Sequence, residues 1–395
     1  MSEKPRLRDG VIRRGSTWAY VIRVTDASGV SKPKWVGGFA TEAAAKAARD
    51  EARVAARRGQ FVHRHDVTVE QYLATWLQGH AMEIRPKTLE DYRSLIERYV
   101  NPRLGKMRLQ SVKPSTVSGF YATLRRERGR DGRPLSPRTV NYVHSVLRKA
   151  FNDAVHTEQL LATNPTLRAK RPKVQAVQQV RTVWNADQLG RFLTAVSTDR
   201  LYPFFRVAAY TGARRGELLY LKWSSVGLDG EDPHIWITGS TAIVRGRRVE
   251  GMTKTGHARR VSIDPGTVQV LRDHAERQAK EQEIGSGWPD DDRVFRMEMG
   301  GPLRTDLPGE VMRATTKRLN KRGDGSPLPA LRLHDLRHVH ATLLLKAGVP
   351  AHVVAARLGH RDAAMTLRVY AHVLSDQATS VAATFAAVMG EEPER

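Results

Sequence analysis

An aperiodic stretch near the middle of the chain most constrains how this sequence can fold. Residues 164–182 contain two prolines and five lysines or arginines, and their apolar residues show no regular spacing. Such composition is typical of a connection between domains rather than of a helix or a strand. We therefore place a linker at 166–181. The whole chain of 395 residues is long enough for two or three domains.

The segment before residue 61 has strand character followed by helix character. Val11–Ile12, Trp18–Thr25 and Lys34–Val36 are rich in β-branched and aromatic residues, and turn residues separate them. Thr41 has the form of an N-cap ahead of an alanine-rich helix that ends near residue 58. Residues 1–60 are thus predicted to form a small domain of three strands plus a helix.

The segment 67–165 is predicted to be helical. Thr68 is followed three residues later by Gln71, which is the form of a capping box, and apolar residues then recur at helical spacing. Two further amphipathic helices are expected at Pro114–Leu124 and Arg138–Val155.

The segment 182–395 mixes both kinds of structure. Helices near Ala186–Val196 and Tyr202–Tyr210 precede three or so strands between residues 235 and 263, and helices follow. Helices flanking a small antiparallel sheet indicate an α+β domain. The whole chain is therefore predicted to be a multidomain, mostly α-helical protein with α+β parts.

Composition excludes several classes of protein. With 65 Lys and Arg against 41 Asp and Glu, the net charge is +24, which favours a polyanionic partner. The 40% apolar fraction is too high for a disordered polycation. No apolar run approaches the roughly 20 residues of a membrane span, and the charged Met1–Gly10 is unlike a signal peptide. The absence of cysteine excludes thiolate nucleophiles and zinc sites built on sulfur.

Double-stranded nucleic acid is the first candidate for the polyanion. The basic excess is densest in residues 67–180, which carry 20 basic and 9 acidic side chains, and this spread predicts a salt-sensitive grip along a duplex. Six basic side chains are candidate DNA contacts: Arg13, Arg14, Arg23, Lys32, Lys34 and Arg138. The first five are expected on one face of the N-terminal sheet, which could enter a groove of DNA. The alternative is a small stabilising appendage.

Four short motifs in the segment 182–395 carry the candidate chemistry. They are TGARRGEL at Thr211–Leu218, GMTKTGH at Gly251–His257, LRLHDLRH at Leu331–His338, and LGH at Leu358–His360 followed by MTLRVYAH at Met365–His372.

The first two motifs contribute cations. Arg214 and Arg215 lie at a helix–turn junction, and Glu217 is close enough in sequence to orient a neighbouring guanidinium. Lys254 is expected at a hairpin tip, where it could act as a mobile proton donor or a phosphate contact. A solvated surface charge is the ordinary alternative for each of these side chains.

The third motif combines a histidine with an arginine. His334 and Arg337 lie three residues apart and are expected on one helical face. A guanidinium offers a planar donor fork to phosphate oxygens, and a histidine titrates near neutral pH. His334 and His338 could instead hold a metal, but the spacing supplies no third ligand.

The fourth motif places a tyrosine late in the chain. Tyr370 follows His360 by ten residues. A phenol becomes a useful nucleophile only beside cations that stabilise the phenolate, and otherwise such a tyrosine packs in a core. Together, the arginines, histidines, lysine and tyrosine suit attack on a phosphodiester, with guanidinium groups meeting the developing charge. No cofactor and no metal are expected.

In this order the motifs resemble those of the tyrosine recombinase (phage integrase) family. The matching elements are TGxR at Thr211–Arg214, the lysine Lys254, HxxR at His334–Arg337, LGH at Leu358–His360 and the terminal Tyr370. The ten-residue interval before the tyrosine is a departure, because many members have nine.

The resemblance covers nearly the whole chain. Residues 1–60 are similar to the family's arm-type DNA-binding domain, and 67–165 to its helical core-binding domain. Residues 182–395 are similar to its α+β DNA breaking-rejoining catalytic domain, including a C-terminal tail helix. The alanine-rich tail, Ala378–Met389, is expected to dock on a neighbouring protomer or to pack within its own.

The resemblance also implies a role for each site residue. Tyr370 would attack the scissile phosphate and form a 3′-phosphotyrosyl link, and Arg214 and Arg337 would clamp the non-bridging oxygens. Lys254 would protonate the leaving 5′-oxygen. His334 would assist proton transfer, and His360 would donate to the phosphate. Arg215 and Glu217 would support them.

The implied activity is integration and excision of a mobile element at core- and arm-type attachment sites. Strand exchange would pass through a Holliday junction in a homotetramer, in the bacterial cytoplasm at the nucleoid and not at a membrane. An excisionase or other directionality factor and a DNA-bending host protein are further expected partners. Two alternatives stay open: a chromosome-dimer or plasmid resolvase of the same chemistry, and a catalytically silent DNA-binding protein.

Overall fold

The structure is a computed structural model that divides into two compact units, 1–176 and 177–395. It describes residues 10–25, 31–57, 62, 65–127, 133–173, 183–253, 256–284, 288–289, 291–323, 325–360, 362, 364, 366–367 and 389. No helix within these ranges is long and apolar enough to cross a membrane. The four-part division of the chain stays a prediction.

The first unit opens with a three-stranded antiparallel sheet. Its strands are β1 (Val11–Arg14), β2 (Thr17–Thr25) and β3 (Ser31–Phe39), paired in that order, and helix α1 (Glu42–Arg57) follows. Thr41 accepts a hydrogen bond from the backbone N–H of Ala44 at 3.2 Å, as its N-cap form predicts. The predicted strands and helix are confirmed.

The five basic residues of this sheet do not share one face. Arg23 pairs with Pro33 and Ile22 pairs with Lys34, so Arg23 and Lys34 lie on opposite faces. Buried Ile22 faces the small core that includes Ala45 of α1, which puts Lys34 and Lys32 on the side of α1. The register places Arg13 on that side as well, and Arg14 on the other side with Arg23. The prediction that all five basic residues share one face is wrong, because successive side chains along a strand point to opposite faces of the sheet.

The rest of the first unit is helical, as predicted. The helices are α2 (Val69–His80), α3 (Pro86–Leu95), α4 (Asn101–Leu104), α5 (Pro114–Arg126) and α6 (Pro137–His156), with a π-helical turn at Ile96–Val100 between α3 and α4. The Thr68–Gln71 capping box is present, with both reciprocal bonds formed. Arg138 is exposed at the second position of α6. This helical part has its own apolar core, distinct from that of the sheet.

The second unit combines helices with two small sheets. Its helices are α7 (Ala186–Ala195), α8 (Tyr202–Thr211), α9 (Arg215–Tyr220), α10 (Pro265–Ile284), α11 (Leu307–Arg322), α12 (Asp335–Lys346) and α13 (Ala351–Leu358). Its strands are β4 (Val226–Gly227), β5 (His234–Ile237), β6 (Gly239–Val244), β7 (Arg247–Met252) and β8 (Arg259–Ser262). The antiparallel sheets have the orders β4-β5-β8 and β6-β7. The α+β prediction is confirmed.

The core of this unit is aromatic. Trp184, Phe192, Phe204 and Phe205 are fully buried, and the indole N–H of Trp184 donates to the carbonyl of Pro329 at 2.8 Å. Burying an indole requires such a partner for its N–H. These contacts fix α7 and α8, and α8 leads directly into the first motif.

The GMTKTGH motif does not occupy a hairpin tip. β7 pairs with β6 through a two-residue turn at Arg245–Gly246, whereas the motif runs from β7 to β8, which belongs to the other sheet. Thr253 is buried, and its hydroxyl donates to the carbonyl of His257 at 2.8 Å, closing this connection. The hairpin prediction was wrong because β7 pairs with β6, the strand before it, and not with β8. Lys254 itself lies outside the described residues.

Candidate active site

A glycine turn brings the first motif against the later ones. Helix α8 ends at Gly212, whose φ is +64°, in the left-handed region that glycine enters without strain. A Cβ there would lie 2.6 Å from Leu358 Cδ2 and 2.8 Å from His340 Cδ2. The turn therefore fits between α12 and α13 only because this position has no side chain.

Arg214 leaves this turn as the residue preceding α9. Its backbone N–H donates to Glu217 Oε2 at 2.9 Å, and its Nη1 donates to Glu217 Oε1 at 2.8 Å. Its Nη2 donates to the carbonyl of Gly359 at 3.3 Å. The two terminal nitrogens of the Arg214 guanidinium thus bind two different segments: Nη1 binds Glu217 of its own helix, and Nη2 binds the LGH motif.

Arg337 of α12 joins the same two turns from the other side. It is buried, Nη1 donates to the carbonyl of Gly212 at 2.7 Å, and Nη2 donates to that of Leu358 at 2.6 Å. Arg214 and Arg337 both bind the turn at residues 358–359, so this turn brings the two predicted arginines together. Sequence separation between them exceeds a hundred residues, so only the fold achieves this.

Glu217 is the buried carboxylate of the site, with a side chain that is 1% exposed. Besides Arg214, it binds Arg259 of β8 twice, at 3.1 Å to Oε1 and 2.7 Å to Oε2. Burial acts to raise the pKa of Glu217, but the hydrogen bonds and charges of Arg259 and Arg214 outweigh it and lower the pKa to about 2. Glu217 is therefore an anion at neutral pH, enclosed by two cations.

His360 is the last residue of the LGH motif and lies near the two arginines. Its Nδ1 lies 2.6 Å from Thr366 Oγ1, and its backbone N–H donates to the carbonyl of Ala355. Burial, and then the charges of Arg337 and Arg214, lower the pKa of His360 to about 4. The ring is therefore neutral at pH 7, and a neutral imidazole keeps one N–H donor.

His334 lies at the start of α12 beside Arg337. The residue is exposed, and its ring lies edge-on to the ring of His338, with 5.6 Å between the two ring centres. Desolvation of its inner side, followed by the charge of Arg337, lowers the pKa of His334 below its usual value. In the described part of the chain no third metal-ligating side chain joins this histidine pair.

Arg215, Lys254 and Tyr370 complete the predicted set. Arg215 is exposed at the first position of α9. Lys254 and Tyr370 lie outside the described residues, as does the tail 378–388. The structure thus brings together Arg214, Glu217 and Arg337 with His334 and His360.

Sequence reasoning missed Arg259. It is 42 positions from Glu217, and nothing in its local spacing marks it. The only available signal was indirect. One arginine beside a buried carboxylate makes a neutral pair, so a site that stays cationic needs a second positive charge nearby. Arg259 and Arg260 open β8 together, and alternation along the strand turns only one of them inward.

Chemically, the site offers several fixed donors around a concentrated positive charge. A guanidinium carries five N–H donors in a planar fork that fits phosphate oxygens. Held rigidly by backbone carbonyls and Glu217, such forks stabilise charge that develops on a phosphoryl group without reorganising. The arrangement therefore suits the binding and activation of a phosphodiester.

Comparison with known proteins identifies the class. Residues 182–377 match the phage integrase family, and residues 68–125 match the phage integrase N-terminal SAM-like domain. The chain belongs to the phage integrase family of tyrosine recombinases, which are enzymes that cleave and rejoin DNA.

Relatives in bacteria share most of the chain. A tyrosine recombinase XerC-like protein of Caldanaerobacter subterraneus is 28% identical over 87% of this chain and 89% of its own length. The ICEBs1 integrase of Bacillus subtilis is 25% identical over 80% of this chain and 82% of its own length. The similarity thus extends over both units.

Solved structures show the same fold. The Tn1549 transposon integrase in complex with transposon right end DNA has a TM-score of 0.67 at 21% identity, over 81% of this chain and 99% of that one. A lambda integrase tetramer bound to a Holliday junction has a TM-score of 0.54 at 18% identity, over 93% and 96% of the two chains. The mostly helical, multidomain architecture is therefore that of tyrosine integrases.

Proposed function

We propose that this chain is a site-specific recombinase that integrates and excises a mobile element, either a prophage or an integrative element. The observation that carries the proposal is that Arg214 and Arg337 both bind the turn at Leu358–Gly359, next to His360, and that Arg337 also binds Gly212. Integrases of phages and integrative elements among the similar proteins support the same conclusion.

The proposed step is a transesterification. The Tyr370 hydroxyl attacks the scissile phosphorus, a 3′-phosphotyrosyl bond forms, and the bond to the 5′-oxygen breaks. Arg214 and Arg337 hold the non-bridging oxygens, and neutral His360 donates a hydrogen bond to one of them. Lys254 gives the leaving 5′-oxygen its proton, and His334 assists removal of the tyrosine proton.

Rejoining uses the same groups in reverse. The 5′-hydroxyl of a partner strand attacks the phosphotyrosyl bond, and exchange of both strand pairs passes through a Holliday junction. Because the bond energy is kept in the covalent link, the step needs no ATP, and the guanidinium groups supply the charge that a metal would otherwise supply. The proposed assembly is a homotetramer on core- and arm-type DNA, with a directionality factor and a DNA-bending host protein as further partners.

A nicked half-site duplex, taken from sequence flanking the gene, tests this chemistry. Incubated with the protein in EDTA, it should yield an SDS-stable protein–DNA adduct. Tyr370→Phe should abolish the adduct and leave DNA binding intact, because only the nucleophile is lost. Arg214→Ala should come close to the same result.

An adduct that persists in Tyr370→Phe would contradict the proposed nucleophile. Binding without any adduct, across a randomised half-site library, would favour a catalytically silent DNA-binding protein instead.

A resolvase of the same chemistry is the second candidate. The similarity to a XerC-like tyrosine recombinase favours it. The N-terminal sheet and helix count against it, since they supply an extra module that such a resolvase does not need. Recombination between two separate plasmids, compared with resolution of a plasmid dimer, distinguishes the two candidates.

A further inference from the structure

We infer that Arg259 is a positioning residue for DNA strand cleavage, acting through Glu217 on the charge and placement of Arg214. This inference rests on the proposed function and deepens it. Nothing in the family motifs includes Arg259, and its role follows from the contacts of three chain segments that meet at its side chain.

The first step is charge. Arg214 and Glu217 alone would form a neutral pair, and a neutral pair attracts a phosphate weakly. Arg259 binds both oxygens of the same carboxylate, and its side chain is only 11% exposed. The three side chains together therefore carry one net positive charge, and Glu217 can anchor Arg214 without cancelling the charge of the site.

The second step is geometry. The Nε of Arg259 donates to the carbonyl of Arg357 at 3.0 Å, immediately before the LGH turn. Gly359 in that turn has a φ of +67°, and a Cβ on it would lie 2.9 Å from Arg259 Nη1 and 3.0 Å from its Cδ. The guanidinium of Arg259 thus occupies the space beneath the turn that carries His360.

The third step is connection. Arg259 is the first residue of β8, so it also ends the 253–258 connection that contains Lys254. One guanidinium therefore links the segments that carry Arg214, Lys254 and His360. A lysine could supply the charge but not the planar fork that binds two carboxylate oxygens and a carbonyl at once.

The test uses single-turnover cleavage at saturating half-site DNA with two substrates. One has the normal scissile phosphodiester. The other has a methylphosphonate at that position, which is uncharged and so depends less on positive charge in the site. The ratio of the phosphodiester rate to the methylphosphonate rate reports the positive charge of the site. A purely structural defect would lower both rates equally and leave this ratio unchanged.

In Arg259→Met the phosphodiester rate should fall by about tenfold to a hundredfold, which is less than the roughly hundredfold to thousandfold loss caused by removing a donor that contacts the reacting group directly. The methylphosphonate rate should fall much less, so the ratio falls. Arg259→Lys should lower the rate but keep the ratio, because it keeps the charge. The double variant Arg259→Met/Glu217→Gln should also recover the ratio, since Arg214 then keeps its full charge.

Arg260 supplies the matched control. It is the next residue of β8, lies on the opposite face of the strand, and pairs with Asp232 rather than with Glu217. Arg260→Met should cleave both substrates at the wild-type rates. If Arg259→Met does not fold, Arg259→Gln takes its place, because its amide keeps a hydrogen bond to Glu217 without a charge.

The outcomes are distinct. A folded Arg259→Met that cleaves as wild type, or that loses both rates equally, overturns the inference and leaves the proposed function intact. A wild-type protein that binds DNA but forms no adduct with any member of the randomised half-site library overturns the proposed function itself.

Discussion

Gly212 is the residue on which the arrangement of the site most depends. Two requirements meet there: a left-handed backbone conformation, and a close approach to Leu358 and His340. The carbonyl of the same residue accepts a hydrogen bond from buried Arg337. Any side chain at this position would disturb both the backbone and the packing that places the two arginines.

We expect Gly212→Ala to lower the free energy of unfolding of this unit by about 2–4 kcal/mol. Roughly 1–2 kcal/mol comes from the left-handed conformation and the rest from overpacking. Cleavage should fall as well, because the turn must move. Hydrogen exchange of α8 amides against urea concentration measures the stability loss.

Gly323 provides the control for this prediction. It also ends a helix, α11, in the left-handed region with a φ of +75°, but a Cβ on it meets nothing within 4 Å. Gly323→Ala should therefore cost only about 1–2 kcal/mol of backbone strain and leave cleavage unchanged. Equal losses in the two variants would show that the close approach at Gly212 has no energetic weight.

Local sequence predicted part of this site well. The contact of Glu217 with Arg214 spans three positions of one helix start, and such short-range geometry is readable from spacing. The part that Arg259 plays in the site could not be predicted, because its contact with Glu217 joins β8 to α9 across 42 positions of sequence. Long-range ion pairs depend on how elements pack, which motif spacing does not encode.

At the scale of elements, the N-terminal sheet has one face free of its helix. Arg14 and Arg23 lie on that face with Trp35, which is 41% exposed, and the Arg14 guanidinium lies 4.9 Å from the centre of its ring. α1 packs on the other face. A cationic and aromatic surface of this kind suits contact with a DNA backbone and groove.

We expect the double variant Arg14→Gln/Arg23→Gln to bind a random-sequence duplex more weakly than the full-length wild type. Each lost phosphate contact should make the negative slope of log affinity against log salt shallower by about 0.9. A salt titration of binding measures it. The double variant Arg13→Gln/Lys34→Gln, with the same charge change on the side of α1, is the control, and an equal effect there would contradict the assignment of faces.

The elements themselves were largely predictable, for physical reasons that differ between them. Thr68 and Gln71 satisfy the free N–H groups of α2 locally, so their pattern alone predicts where the helix begins. The GMTKTGH segment was misplaced because the local sequence does not show which strands pair. β7 pairs with β6 just before it, and β8 pairs with β5 of the other sheet, a pairing that depends on how the whole unit packs.

At the scale of the whole molecule, separate cores allow separate functions. The sheet with α1 is built around Val11, Tyr20 and Ile22, and the helical part 67–165 has its own apolar cluster. Removing the first sixty residues therefore leaves the core of the helical part complete. We propose that the removed part binds arm-type DNA and that the rest binds core-type DNA.

Deleting residues 1–60 should consequently impair integration between two plasmids by at least about tenfold more than cleavage of an isolated core half-site. Integration needs both kinds of DNA contact, whereas half-site cleavage needs only the core contacts and the chemistry of the 182–395 segment. The ratio of the two activities, each taken relative to the full chain, is the measurement, and an unchanged melting profile of the helical part is its control. Equal loss of both activities would mean that the N-terminal sheet and helix support the fold rather than read arm-type DNA.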